Sequence, residues 1–201
     1  MSFVGLHIHS NYSLLDGASQ LPQLVGRAKE LGMPAIALTD HGVMHGSLEF
    51  YKMATAAGIS PIVGVEAYVA PRSLHDKVGG ANANIDDRDD RSNYHLVLLA
   101  KNHTGYQNLM KMSSVAQLEG FYYKPRIDRD LLREHSEGVI ATSACLKGEL
   151  ATLVSDGLYD DAKRLAEEYL SIMGEDNFYL EVQPNGLAEQ EVVNQAMRQL
   201  S

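Results

Sequence analysis

Pro34-Ala35-Ile36-Ala37-Leu38-Thr39-Asp40-His41-Gly42 is a short apolar run that ends in two ionisable groups and a glycine. A run of small and branched apolar residues of this length reads as a strand buried on both faces. Before it, Ser19 is the expected cap of a helix whose Leu21, Leu24, Val25, Ala28 and Leu31 fall on one face; Gly32 closes it and Pro34 bars its continuation. After it, a second helix is expected from about Ser47 to Ala57, stopped by Gly58. Helix, buried strand, helix is the alternation of a parallel sheet, open or closed into a barrel, and in both the functional groups collect at the carboxyl ends of the strands. Asp40 and His41 stand at such an end, where ionisable groups need partners or water.

The same alternation extends in both directions. Phe3-Val4-Gly5-Leu6-His7-Ile8-His9 reads as a first strand, and its two histidines, two residues apart, would lie on one face and could grip one ion. Further strands are expected at Pro61–Val69, Tyr94–Ala100, Gly138–Ser143 and Phe178–Val182. Helices are expected from Thr104 to about Leu118, near Gly148–Val154, around Ala162–Met173, and from Gly186 to Leu200. Residues 71–93, with Gly79-Gly80 and Asp86-Asp87-Arg88-Asp89-Asp90-Arg91, read as a solvated, mobile acidic insertion, with His75 at the surface. The last helix stops at Ser201 without a strand to lead into, so the regular alternation reads as part of a larger fold.

Composition narrows the function. The chain has 201 residues, enough for one domain with a sizeable core, and its 45% hydrophobic content is that of a globular protein. No apolar run approaches the roughly 20 residues that span a bilayer, and no signal peptide opens the chain. One cysteine excludes an internal disulfide and fits a reducing cytoplasm. A net charge of −9 argues against a broad electrostatic grip on nucleic acid, unless bound cations supply the positive charge.

The candidate chemistry lies at strand ends. His9, His41, Glu66 and Cys145 all lie at or just beyond apolar runs, whereas His95 falls near the start of its run and breaks the rule. Glu66, inside Gly64-Val65-Glu66-Ala67, is an acid in an apolar strand, costly to bury unless paired or metal-bound. Asp16-Gly17 alone reads as a favoured turn pair, and Cys145 alone reads more readily as a small core residue than as a ligand, although its place after a strand keeps the thiolate reading open. Together these groups point to a multinuclear metal site and to hydrolysis of a phosphate ester. No Walker loop, G-x-S-x-G elbow or H-E-x-x-H motif competes.

His7-Ile8-His9-Ser10, Thr39-Asp40-His41-Gly42 and Gly64-Val65-Glu66 resemble the opening motifs of the PHP (polymerase and histidinol phosphatase) family. Tyr12-Ser13-Leu14-Leu15-Asp16-Gly17, Asn102-His103-Thr104-Gly105-Tyr106-Gln107-Asn108-Leu109, Gly120-Phe121-Tyr122-Tyr123-Lys124-Pro125-Arg126-Ile127-Asp128 and Thr142-Ser143-Ala144-Cys145-Leu146-Lys147-Gly148-Glu149 resemble the branch found in bacterial replicative polymerases, the DNA polymerase III alpha subunits. The resemblance runs from Ser2 to about Gln183.

It implies an α/β fold of the distorted (β/α)7 barrel type and up to three divalent metal ions (Zn, Mn or Mg). His7 and His9 would hold the first, Glu66 would bridge to a second completed by His95 and Cys145, and Asp16 and His41 would belong to a third. Asp16 and Glu66 would then be catalytic, and Arg126 would be a phosphate or DNA contact or a structural salt bridge. The resemblance further implies 3′–5′ exonuclease action on a DNA primer end, replicative polymerase subunits as partners, no membrane and a cytoplasmic setting. A non-catalytic scaffold and a histidinol-phosphatase-like phosphoesterase are the alternatives. The family's later Asp-x-His strand has no counterpart before Ser201, so residues 1–201 are expected to form a partial PHP domain, with an open barrel and an incomplete, inactive metal cluster, separate from any polymerase domain.

Overall fold

β2 (Ser60–Val69) is the strand around which the sheet is built. The structure, a computed structural model, describes residues 3–14, 16–77 and 93–201. β1 (Ala35–Leu38) runs parallel to the first half of β2, from Ala35 opposite Ser60 to Leu38 opposite Val63. β3 (Tyr94–Ala100) runs antiparallel to its second half, and β6 (Val139–Thr142) runs antiparallel to β3. β7 (Phe178–Tyr179) lies parallel to β6 at one edge. At the other, β5 (Lys124–Ile127) lies parallel to the end of β2 and forms a hairpin with β4 (Phe121–Tyr122). The strand order is β4-β5-β2-β3-β6-β7, with β1 paired to β2, and among the described residues the sheet does not close on itself.

The sheet is therefore mixed, where uniform strand–helix alternation predicted a parallel one. Among the described residues no helix separates β2 from β3, and antiparallel neighbours need no crossover helix. The first strand also departs from expectation. Residues 3–9 form an irregular segment with a bend at His7, held to β1 by a single bridge, Gly5 to Ile36, and by Ala37 and Thr39 amides donating to the carbonyls of Gly5 and Ile8 at 2.8 Å. The strand expected over 178–182 shortens to two residues, while the β4–β5 hairpin and α4 (Arg129–Glu134) were not foreseen.

Alternation divides the two faces of the sheet. Val65, Ala67 and Val69 of β2, with Tyr94, Leu96 and Leu98 of β3, point into the main core. That core is covered by α3 (His103–Leu118), α5 (Glu149–Ser155), α6 (Tyr159–Met173) and α7 (Ala188–Leu200). A second core packs α1 (Leu21–Glu30) and α2 (Ser47–Ala57) on β1 through Leu21, Val25, Leu38, Phe50 and Ala54. Each fully buried Leu or Phe contributes roughly 1.5–3 kcal/mol of transfer free energy. By alternation, Glu66, Tyr68, His95, Val97 and Leu99 occupy the opposite face, where Val97 and Leu99 meet Ala37 and Ala144.

Helix ends follow local chemistry, with two shifts. α1 starts after Gln20 with a proline in its first turn, so Pro22 and not a Ser19 cap sets its start. α3 is capped by Asn102, whose side chain accepts from the Gly105 amide at 3.0 Å, and not by Thr104. Most of the predicted insertion, residues 78–92, lies outside the described residues. Residues 71–77 are anchored rather than loose: Leu74 is buried, its amide bonds the Asp128 carboxylate at 2.9 Å, and His75 is exposed.

Candidate metal centre

Glu66 is where the chain's separate motifs meet. Past β1, the backbone keeps parallel company with β2: the Glu66 amide donates to Asp40 O at 3.1 Å and the Gly42 amide to Glu66 O at 2.9 Å, pairing His41 with Glu66. Gly42 then turns the chain at a φ of 64°, and a Cβ there would meet Pro125 Cγ at 2.8 Å and the Tyr68 ring. Buried Asp40 accepts from the Ser10 amide at 2.6 Å and from its hydroxyl at 2.9 Å, which fixes the chain just after His9. The loop beyond is tight, since a Cβ on Gly17 would stand 1.8 Å from the Ser10 carbonyl oxygen.

His95 ceases to be an exception once the topology is known. In the antiparallel β2–β3 ladder His95 faces Tyr68 and Val97 faces Glu66, so His95 is the diagonal neighbour of Glu66 on the same face. The start of an antiparallel strand lies at the same end of the sheet as the finish of its parallel neighbours. Cys145 arrives there from β6, and the His95 amide bonds Lys147 O at 3.0 Å.

All seven sequence-predicted ligand candidates, His7, His9, Asp16, His41, Glu66, His95 and Cys145, line one open cleft of about 1420 Å³. Glu66 Oε2 lies 3.0 Å from His7 Nε2, 2.9 Å from His9 Nε2 and 3.1 Å from His41 Nδ1; Glu66 Oε1 lies 2.8 Å from His95 Nδ1. Cys145 Sγ is 3.7 Å from Glu66 Oε1 and 3.6 Å from His95 Nδ1. Asp16 Oδ2 is 2.6 Å from His41 Nε2, and its other oxygen accepts from the Ser13 hydroxyl at 2.7 Å. Three triads have ligand atoms close enough for one ion each: His7, His9, Glu66; His9, Asp16, His41; and His41, Glu66, His95.

Glu66 is 1% exposed, yet Glu66 Oε2 and His41 Nδ1 are the buried side-chain polar atoms without a hydrogen-bond partner among the described residues. Three imidazole nitrogens stand within 3.1 Å of that oxygen without hydrogen-bond geometry, so lone pairs converge on shared points. Orphaned buried polar atoms are costly, and a divalent cation at these points would satisfy them all. The donor set, imidazole with carboxylate and one thiol, is one that a divalent metal ion can use.

Electrostatics reflect the crowding. Burial alone would raise the Glu66 carboxyl, but the imidazoles of His7, His9 and His95 hold it well below the usual range. His7 is drawn up to about 10: burial opposes the shift, and the carboxylates of Glu181 and Glu66 outweigh it. His41 falls to about 4 through burial, with His9 and His95 adding to the fall. Burial and then the charges of Glu66 and Glu181 push the Cys145 thiol to about 11, so without a cation beside it the sulfur stays protonated.

Two placements differ from the sequence reading. Arg126 is wholly enclosed, with Nε donating to Gly120 O at 3.2 Å and one terminal nitrogen to Leu74 O at 3.2 Å and Asp76 O at 2.7 Å. A wholly enclosed guanidinium whose Nε and one terminal nitrogen bond backbone carbonyls favours the structural of the two readings of Arg126 over a DNA contact. Conversely, Glu181 was overlooked: its Oε1 lies 2.8 Å from His7 Nδ1. The signal that singled out Glu66, an acid in an apolar run, was present in Phe178-Tyr179-Leu180-Glu181-Val182.

This sheet and metal-type cluster define the class. A family model described as the PHP domain matches residues 5–185, and the chain belongs to that family. Its relatives include the DNA polymerase III alpha subunits of Treponema pallidum, 51% identical across 96% of this chain, and of Thermus aquaticus, 47% identical across all of it. The chain spans 16% of the length of each of these relatives. A Bifidobacterium adolescentis structure classed as a metal-dependent phosphoesterase is 12% identical, with a TM-score of 0.51 over 98% of this chain and 96% of that one, a likeness of fold.

Proposed function

We propose that this chain is the PHP domain of a replicative DNA polymerase of the polymerase III alpha type, and that its site hydrolyses phosphodiester bonds at the 3′ end of a DNA primer. Its sheet is read as part of a distorted (β/α)7 barrel whose strand ends carry the site. The observation that supports this reading most directly is the convergence of three imidazoles on the orphaned, buried Glu66 Oε2. Relatives named as polymerase subunits favour a polynucleotide over histidinol phosphate as substrate.

The seven side chains divide the work. His7, His9 and Glu66 would hold one divalent cation, and Glu66, His95 and Cys145 a second. Asp16 and His41, with His9 between them, would hold a third. Such cations polarise phosphoryl oxygens and lower the pKa of water. Glu66 presents Oε2 to His7, His9 and His41 and Oε1 to His95, so it would serve more than one ion. Asp16, 44% exposed, is the carboxylate nearest solvent and is placed to accept a proton at Oδ2. The low affinity of His41 for protons keeps its ring neutral, as a ligand must be. Tyr68 stacks on His41 with ring centres 5.4 Å apart and closes the site on that side.

Elemental mass spectrometry of the purified chain, together with shortening of a 3′-recessed primer by a longer chain that includes the family's later Asp-x-His strand, tests the proposal. About one bound metal per chain or more on residues 1–201, and primer shortening by the longer chain, both lost in Glu66→Ala, are expected. A folded chain that retains no metal would overturn it.

A further inference from the structure

We propose that Glu181 is a positioning residue that aims the His7 ring at the metal, an inference that rests on the metal reading of the site. His7 stands between two carboxylates, with Nε2 3.0 Å from Glu66 Oε2 and Nδ1 2.8 Å from Glu181 Oε1. A neutral imidazole has one N–H and one lone pair. When Nδ1–H donates to Glu181, the lone pair sits on Nε2, the nitrogen that faces the cluster.

Glu181 is placed to orient rather than to coordinate, because both of its oxygens are already engaged. Oε1 accepts from His7 and from Gln183 Nε2 at 2.7 Å, and Oε2 accepts from the Thr142 hydroxyl at 2.5 Å. Its backbone amide donates to Ser143 Oγ at 2.8 Å. The segment is clamped from behind by α7: the buried Asn194 accepts from the Gln183 amide at 3.0 Å and donates to the Gln183 carbonyl at 2.9 Å. Gln190, also buried, donates to Asn194 Oδ1 at 3.1 Å. A continuous chain of hydrogen bonds thus runs from α7 through Asn194, Gln183 and Glu181 to His7.

His9 has no such support. Among the described residues its Nδ1 meets only the Ser13 hydroxyl, at 3.3 Å. A carboxylate behind an imidazole fixes its orientation and makes the ring a more basic ligand, and loss of such a partner weakens metal affinity about 10–100-fold. The His7 side of the cluster is therefore assigned the tightest cation.

Titration of the metal-free chain with zinc alone tests this. Glu181→Gln should weaken the tightest class of site at least about tenfold and leave the weaker classes in place. In the zinc-loaded chain the His7 Nδ1–H proton should be a sharp, downfield NMR signal in the wild type and be broadened by exchange in the variant. Thr142→Val, which frees one Glu181 oxygen without touching His7, should weaken the same class by a smaller factor, and it carries the test if Glu181→Gln does not fold. Zinc affinity and the His7 signal unchanged in the variants would overturn the role of Glu181 while the metal reading stands. No zinc on the wild-type chain would overturn the metal reading and this inference with it.

Discussion

Glu66 and Arg126 are both charged, both nearly inaccessible and on the paired strands β2 and β5, yet their surroundings differ. Glu66 is surrounded by imidazole nitrogens and keeps an oxygen without a hydrogen-bond partner. Arg126 spends its donors on the carbonyls of Gly120, Leu74 and Asp76, tying the β4–β5 hairpin to the segment after β2, and its guanidinium also lies over the Tyr122 ring. Arg126→Met would leave those buried carbonyls without donors and should cost about 3 kcal/mol of stability, read from urea unfolding. Zinc affinity should stay within about twofold of wild type, because Arg126 supplies no ligand. A variant with native stability and weakened metal binding would reverse the assignment.

α6 is anchored through a polar group at its centre. Tyr169 is 2% exposed, stacks on Phe178 and donates to Glu149 Oε2 at 3.4 Å, while Arg129 bonds the same carboxylate at 2.9 Å and Glu168 at 3.2 Å. These contacts join α4, α5 and α6 beneath the sheet. Burial, then the neighbouring Glu149 charge, raises the Tyr169 phenol above the ordinary tyrosine range. A phenol harder to ionise in the folded chain than in the unfolded one contributes stability that is whole below about pH 10 and is lost as pH rises beyond it, by up to about 1.4 kcal/mol per pH unit. Tyr169→Phe should therefore flatten the alkaline fall in stability, at a cost near neutrality of about 1 kcal/mol. Urea midpoints between pH 8 and 11, compared for the two proteins, check this, and parallel curves would refute it.

The cluster joins parts of the chain that lie far apart in sequence. His7 and His9 come from a segment with one bridge to β1, Asp16 from a turn, His41 from the end of β1, and Cys145 from the loop after β6. A cation bound there ties these parts together and stabilises only the folded chain. At a free concentration about 100 times Kd the gain is about 2.7 kcal/mol, a rise in Tm of about 5–10 °C for a chain of this size. Thermal unfolding with zinc, then with excess EDTA, should show that rise and its reversal. Among the described residues no helix is long and apolar enough to cross a membrane.

Local pattern was enough for most of the helices and for part of the candidate ligand set. Apolar periodicity and glycine stops placed α2 within its observed limits and β3 within its own, because both signals act over a few residues. His7, His9, His41 and Glu66 were legible one at a time, since a histidine pair, an Asp-His-Gly turn and an acid in an apolar strand each conflict with their surroundings unless something binds them, whereas Asp16, His95 and Cys145 gained their weight from the family resemblance. Strand direction was not legible, because hydrophobic alternation is the same for parallel and antiparallel neighbours. Only the antiparallel course of β3 brings His95 beside Glu66. Only the tertiary packing places Arg126 against three carbonyls and Glu181 against His7. A sequence states which groups will be costly to bury; the partners that offset that cost come from distant parts of the chain, and folding alone selects them.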